Sequence, residues 1–194
     1  MRKTGRREFL LTTALSGIGL SLAGAGMKNS QLFPADSGKR IGIIGLDTSH
    51  STAFTKALYN AKESDGFNSF KIVAAYPKGS NDIASSVERI PGYTAEVQKM
   101  GVEIVNSIEE LLPKVDFVLL ETNDGRLHLE QALPVLKAGK RMFIDKPMTA
   151  SLADAIAIFD AAKKYNVPVF SSSSLRYITG MDEVLSGKIG KVTG

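Results

Sequence analysis

Residues 41–51 read Ile-Gly-Ile-Ile-Gly-Leu-Asp-Thr-Ser-His-Ser, an apolar run that ends in a glycine turn and leads into a hydroxyl-rich segment. The chemistry such a turn can support is phosphate binding. A dinucleotide loop reads Gly-x-Gly-x-x-Gly: the first glycine makes the tight turn, the second lets the backbone approach the pyrophosphate, and the third lets the helix pack closely on the strand. Gly42 and Gly45 are present, but the next two glycine positions hold Asp47 and His50. A carboxylate there, ~4 Å from a phosphate, costs on the order of 1 kcal/mol in water and several at lower effective dielectric. Replacing Asp47 by glycine is therefore expected to tighten dinucleotide binding. Free backbone N–H groups and the hydroxyls of Thr48, Ser49 and Ser51 at the start of the following helix can still hold an anion without glycine. Alternatively, Asp47 caps that helix itself and leaves fewer donors for a phosphate.

A second loop, Ala-Ala-Tyr-Pro-Lys-Gly-Ser-Asn-Asp at 74–82, carries Lys78 and Ser80 where an acid normally accepts hydrogen bonds from the adenosine ribose. A lysine and a serine suit a 2′-phosphate better than a bare diol. The same residues also read as an exposed polar turn, and Asp82 as the acid displaced by a few positions. The chain has two histidines, His50 and His128, each placed just after an apolar run. Either can be an ordinary polar residue at a helix start. With Asp47 they also have the ligand types of a metal site, although the favoured reading assigns no metal.

The elements that must position these residues follow from periodicity. Short β-rich runs occur at 40–45, 70–76, 102–105, 116–121, 141–145 and 167–171, with helical spacing between them. Strands alternating with helices predict an α/β fold, a doubly wound parallel sheet with right-handed crossovers. Ser107 with Glu110 and Ser151 with Asp154 resemble capping boxes, while Gly139 and Asn166 mark helix ends. Pro91 and Pro134 fall inside helical segments and blur their boundaries. In the strand order 3-2-1-4-5-6, ligands bind where the order reverses, between strands 1 and 4. The loops after those strands contain His50 and His128, which places the two histidines on the two lips of the crevice.

The remaining composition limits the function classes. Of 24 basic residues, four (Arg2, Lys3, Arg6, Arg7) fall in the first 25 positions against one acid, Glu8; the rest of the chain has a net charge of +1. The excess is confined to the N-terminus, so a nucleic-acid partner loses its support. Residues 1–25 pair that basic start with an apolar stretch from Phe9 to Leu22 and an Ala-Gly-Ala site, the form of an export signal rather than a stable membrane anchor. Arg6-Arg7-x-Phe-Leu resembles the twin-arginine signal, with Gly5 in place of the usual Ser or Thr and Leu11 where Lys is common. The expected location is periplasmic or exported. No cysteine is present, which rules out disulfides and a lipid-anchored cysteine. Residues 26–38 read as a linker.

Residues 121–155, Glu-Thr-Asn-Asp-Gly-Arg-Leu-His through Glu-Gln-Ala-Leu, Ala-Gly-Lys and Asp-Lys-Pro to Ala155, resemble the glucose-fructose oxidoreductase, inositol dehydrogenase and MocA family. The correspondence is a Thr-x-Asn-x-x-His-like loop, a helix, a strand and the Glu-Lys-Pro motif with Asp in its first place. The resemblance implies an NAD(P)-binding Rossmann domain over 39–178 and, from 179 onward, the start of a second domain that is largely missing and would carry most substrate contacts. It implies cofactor contacts from Thr122, Asn123, His128, Asp145, Lys146 and Pro147. It also implies that Lys146 lies near the nicotinamide and the substrate hydroxyl, where an ammonium can orient the substrate and assist proton transfer. Pro147 fixes the turn that directs Lys146 into the crevice. The expected activity is hydride transfer between NAD or NADP and a sugar, cyclitol or sugar derivative, with a homo-oligomer forming through the second domain. Two alternatives stay open: an NAD-dependent glycoside hydrolase of the same fold, and a binding protein whose nucleotide loop has decayed.

Overall fold

A computed structural model describes residues 39–191 of the chain. The signal and linker readings for 1–38 lie outside the described residues. The elements in order are β1 (Arg40–Ile44), α1 (Ser49–Tyr59), β2 (Lys71–Tyr76), α2 (Ala84–Lys99), β3 (Glu103–Ile104), α3 (Ile108–Leu111), β4 (Phe117–Leu120), α4 (His128–Lys137), β5 (Arg141–Asp145), α5 (Leu152–Tyr165), β6 (Val169–Ser172) and α6 (Met181–Leu185). The six strands form one parallel sheet in the order β3-β2-β1-β4-β5-β6, as the alternation of strands and helices predicts.

Alternation along each strand sends neighbouring side chains to opposite faces, and both faces are covered. On one side Ile41, Ile43, Ile72, Phe117 and Phe143 pack beneath Phe54 and Leu58 of α1 and Val97 of α2. On the other, Ile44, Val118, Leu120, Met142 and Ile144 pack beneath Leu111 of α3, Val135 and Leu136 of α4, and Ile158 of α5. The edge-to-face pair of Phe54 and Phe143, with ring centroids 5.9 Å apart, ties α1 to β5. It fixes the start of α1 relative to the end of β5, and these two chain segments form one wall of the crevice.

The local helix signals act as expected. Ser107 Oγ accepts from Glu110 N at 3.2 Å, and Ser151 Oγ accepts from Asp154 N at 3.1 Å. Asn166 ends α5 in the left-handed conformation with φ 54°, and Gly139 follows α4 with φ +70°. Pro91 and Pro134 break neither α2 nor α4. No helix among the described residues is long and apolar enough to cross a membrane.

Candidate functional site

The carboxyl ends of β1, β4 and β5 meet at the point where strand order reverses, and the loop after β2 folds over beside them. At the end of β1, Gly45 has φ +87°, and its N–H donates to Tyr76 O at 2.8 Å. A Cβ at Gly45 would strike the backbone and hydroxyl of Thr122, so only glycine lets the first loop lie this close to the loop after β4. Gly42 has a different task from the cofactor contact assigned to it. A Cβ there would meet Val115 Cγ1 at 3.0 Å and Leu111 at 3.1 Å, which makes it a packing position inside the core.

Asp47 is fully buried, and its carboxylate is turned away from the helix start. Oδ1 accepts from Asn123 N at 3.0 Å and Oδ2 from Ser80 N at 3.3 Å. Asp47 therefore ties the loop after β1 to the loops after β2 and β4. This arrangement corrects two expectations. Asp47 does not cap α1, because Thr48 precedes the helix and no side chain caps it. A carboxylate already held by two amide donors is also a structural tie, and removing it leaves two amides without that partner, so tighter cofactor binding is no longer expected of Asp47→Gly.

The start of α1 keeps the features an anion needs. No acidic residue lies in its first turn, no side chain caps it, and the buried Thr48 Oγ1 has no hydrogen-bond partner. Ser49 is exposed at the helix start. Across the crevice the buried Thr122 Oγ1 is also unpartnered. Asn123 faces away, its Nδ2 donating to Ser86 Oγ of α2 at 3.4 Å.

The loop after β2 is clamped to the loop after β4 through a residue that sequence reasoning passed over, Arg126. Its guanidinium donates to Asp82 Oδ2 at 2.9 Å and Oδ1 at 2.6 Å, and to Asp124 Oδ2 at 2.6 Å. Ser80 Oγ bridges the same two acids, at 2.8 Å to Asp82 and 3.1 Å to Asp124. The Arg126 guanidinium holds the Asp124 carboxyl down at about 2 and also lowers that of Asp82. Asp82 is thus already committed within the protein, whereas Lys78 is exposed.

The two histidines differ in environment. His128 begins α4 and is fully buried, not a surface residue. Its ring nitrogens lie 2.7 Å from Thr122 O and 2.8 Å from Met148 O, so it joins the loops after β4 and β5. With Asp47 also committed, the trio of Asp47, His50 and His128 is not a ligand set. His50 is half-buried in the first turn of α1, and its Nδ1 lies 2.6 Å from Asp145 Oδ2. Lys146 follows, with Nζ 3.8 Å from that same oxygen and its side chain 46% exposed, and a cis bond joins it to Pro147. Lys146, Asp145 and His50 therefore form one polar row along the crevice.

Beneath this row lies Glu121, another residue that sequence reasoning left unassigned. It is fully buried, and neither carboxylate oxygen has a hydrogen-bond partner among the described residues. Burial raises its pKa well above the ordinary carboxylate value. The charges of Asp145 and Asp47 push it the same way, and Lys146 opposes them. Its signal in the sequence is an acid that ends the apolar run Phe117–Leu120 on a strand covered on both faces.

The architecture has many counterparts among known proteins. A solved NAD-binding protein from Listeria innocua is 25% identical, with a TM-score of 0.55 over 77% of this chain and 42% of its own. The WlbA dehydrogenase from Bordetella pertussis, solved in complex with NADH and UDP-GlcNAcA, is 20% identical with a TM-score of 0.59 over 78% of this chain and 42% of its own. In sequence, a 1,5-anhydro-D-fructose reductase of Ensifer adhaerens is 33% identical over 115 residues, which are 56% of this chain and 34% of that protein. The chain thus spans about a third of the length of that reductase. The model of the oxidoreductase family with an NAD-binding Rossmann fold, the glucose-fructose oxidoreductase, inositol dehydrogenase and MocA group, matches residues 39–173, and the chain belongs to that family.

Proposed function

We propose that the protein acts as an NAD(P)-dependent oxidoreductase on a hydroxyl-bearing carbon of a sugar, cyclitol or sugar derivative. The observation that carries this reading is the placement of Lys146 directly after the carboxyl end of β5, with its Nζ 3.8 Å from Asp145 Oδ2 at the crevice. The residues present suit the cofactor: an uncapped α1 start for the pyrophosphate, with the unpartnered hydroxyls of Thr48 and Thr122 on either side. A bound nicotinamide supplies the hydride acceptor or donor. The chain's own residues do the rest. Lys146 Nζ hydrogen-bonds the substrate oxygen and exchanges its proton, and Asp145 holds both Lys146 and the His50 ring in place.

The sugar class is supported by the name of the 33% identical reductase and by the sugar nucleotide in the WlbA structure. Lys78, exposed beside the clamped Asp82, favours a cofactor with a 2′-phosphate. Residues 1–25 fit twin-arginine export to the periplasm, and substrate contacts and assembly between copies belong to a second domain beginning near residue 179. Titration of the full-length protein with NADH and NADPH, followed by nicotinamide fluorescence, tests the reading. Saturable binding of at least one is expected. Binding of neither at millimolar concentration would overturn it.

A further inference from the structure

The charges around the crevice fall into two groups that are balanced differently. Asp82 and Asp124 share the Arg126 guanidinium and the Ser80 hydroxyl. Glu121 and Asp145 share the charge of Lys146 but no hydrogen-bond donor among the described residues. Asp145, only 3% exposed, is served by His50, with Lys146 at 3.8 Å, whereas the fully buried Glu121 has no donor on either oxygen among the described residues. A buried carboxylate without hydrogen bonds is costly, and such groups in native proteins are as a rule paired or bound to a metal.

The geometry supplies the missing partner. One ring nitrogen of His50 and one carboxylate oxygen each of Glu121 and Asp145 lie within 4.8 Å of one another. We propose that His50, Glu121 and Asp145 form a binding site for a divalent transition-metal ion such as Zn²⁺ or Mn²⁺, in the crevice beside Lys146. Bonds of about 2.0–2.2 Å from an ion at the centre require each ligand to move by less than about 1 Å. The imidazole selects against Mg²⁺ and Ca²⁺, which prefer an all-oxygen shell. On binding, the ion displaces the proton of the buried Glu121 carboxyl and replaces the hydrogen bond between His50 and Asp145, so that two carboxylates neutralise it. Three ligands from the protein leave a coordination position open on the side where the His50 side chain is 30% exposed, the crevice side, so a substrate hydroxyl or carbonyl can reach the ion.

The site does not depend on the oxidoreductase reading, and one preparation tests the two separately. Full-length protein stripped with chelator is titrated with ZnCl₂ and MnCl₂ in a calorimeter, and with NADH by fluorescence in a parallel sample. One equivalent of metal is expected to bind, with a rise in thermal midpoint. Glu121→Gln and His50→Asn are each expected to weaken that binding by at least about 100-fold, while Asp82→Asn leaves it intact. Glu121→Gln keeps the side-chain volume, and circular dichroism checks that each variant is folded; should one fail to fold, the other decides. Absence of stoichiometric binding, or binding unchanged in the folded variants and hence an adventitious ion only, would overturn the proposal, whatever NADH does.

Discussion

Gly79 and Asp47 occupy adjoining space so closely that any side chain at position 79 would overlap the Asp47 carboxylate. The absent Cβ of one residue is the room into which the other folds, and that contact lets the loop after β2 seat its Ser80 amide on Asp47. Gly79→Ala is expected to lower stability by about 1–3 kcal/mol, the range for overpacking a tight interior. Asp47→Ala should also destabilise, by about 1–3 kcal/mol, through the amides of Ser80 and Asn123 that lose their acceptor. Combined, the two substitutions should cost less than their sum, because the second removes the two nearest atoms with which the first collides and leaves only the Asp47 Cβ, at 2.9 Å. Chemical denaturation of the four proteins measures this coupling, and strict additivity would refute the contact.

Acid should loosen the clamp between the loops after β2 and β4. Asp124 is held at about 2 by Arg126, below its ordinary value of 3.8, so in this range the unfolded chain binds more protons than the folded one. The stabilisation is therefore complete above about pH 4 and is lost as pH falls toward 2. Asp124→Asn should flatten the fall of the thermal midpoint across that interval while lowering the midpoint at neutral pH. A scan of thermal midpoints from pH 2 to 7 on both proteins checks the two effects together.

Lys146→Ala should reduce kcat by roughly 10² or more in the full-length enzyme, the range for a positioned acid–base group, with cofactor affinity changed far less. Lys146→Met keeps the aliphatic stem and should show the same loss. Steady-state kinetics together with nicotinamide fluorescence separate chemistry from binding, and parent-like turnover would remove Lys146 from the mechanism.

Changing Arg6 and Arg7 together to Lys should abolish export of the full-length protein, since recognition of a twin-arginine signal depends on the pair. Cell fractionation with an antibody reads the outcome, and undiminished periplasmic protein would contradict that signal.

Strand positions and sheet order were legible because fully buried parallel strands are written as apolar runs, and helix ends such as Asn166 and Gly139 use residues that tolerate positive φ. Lys146 stood out through its Asp-Lys-Pro setting. Arg126 and Glu121 did not. The first acts through Asp82, 44 positions away, and the second lies close to His50 and Asp145, so each setting depends on distances that only the folded sheet creates. Asp47 was visible as a break in the glycine pattern, but its direction was not, because a carboxylate's choice between a phosphate site and two backbone amides is settled by where other loops lie.

The order of strands also sets a timetable for synthesis. β1 lies at the centre of the sheet, yet it is made first, and its partner on the β4 side is encoded 76 positions later, as the Arg40 and Asp116 contact shows. At about 5–20 residues per second, a ribosome needs roughly 4–15 s to deliver that partner. Throughout that interval one edge of this central strand stands open in the nascent chain, a natural target for chaperones and the earliest opportunity for mispairing.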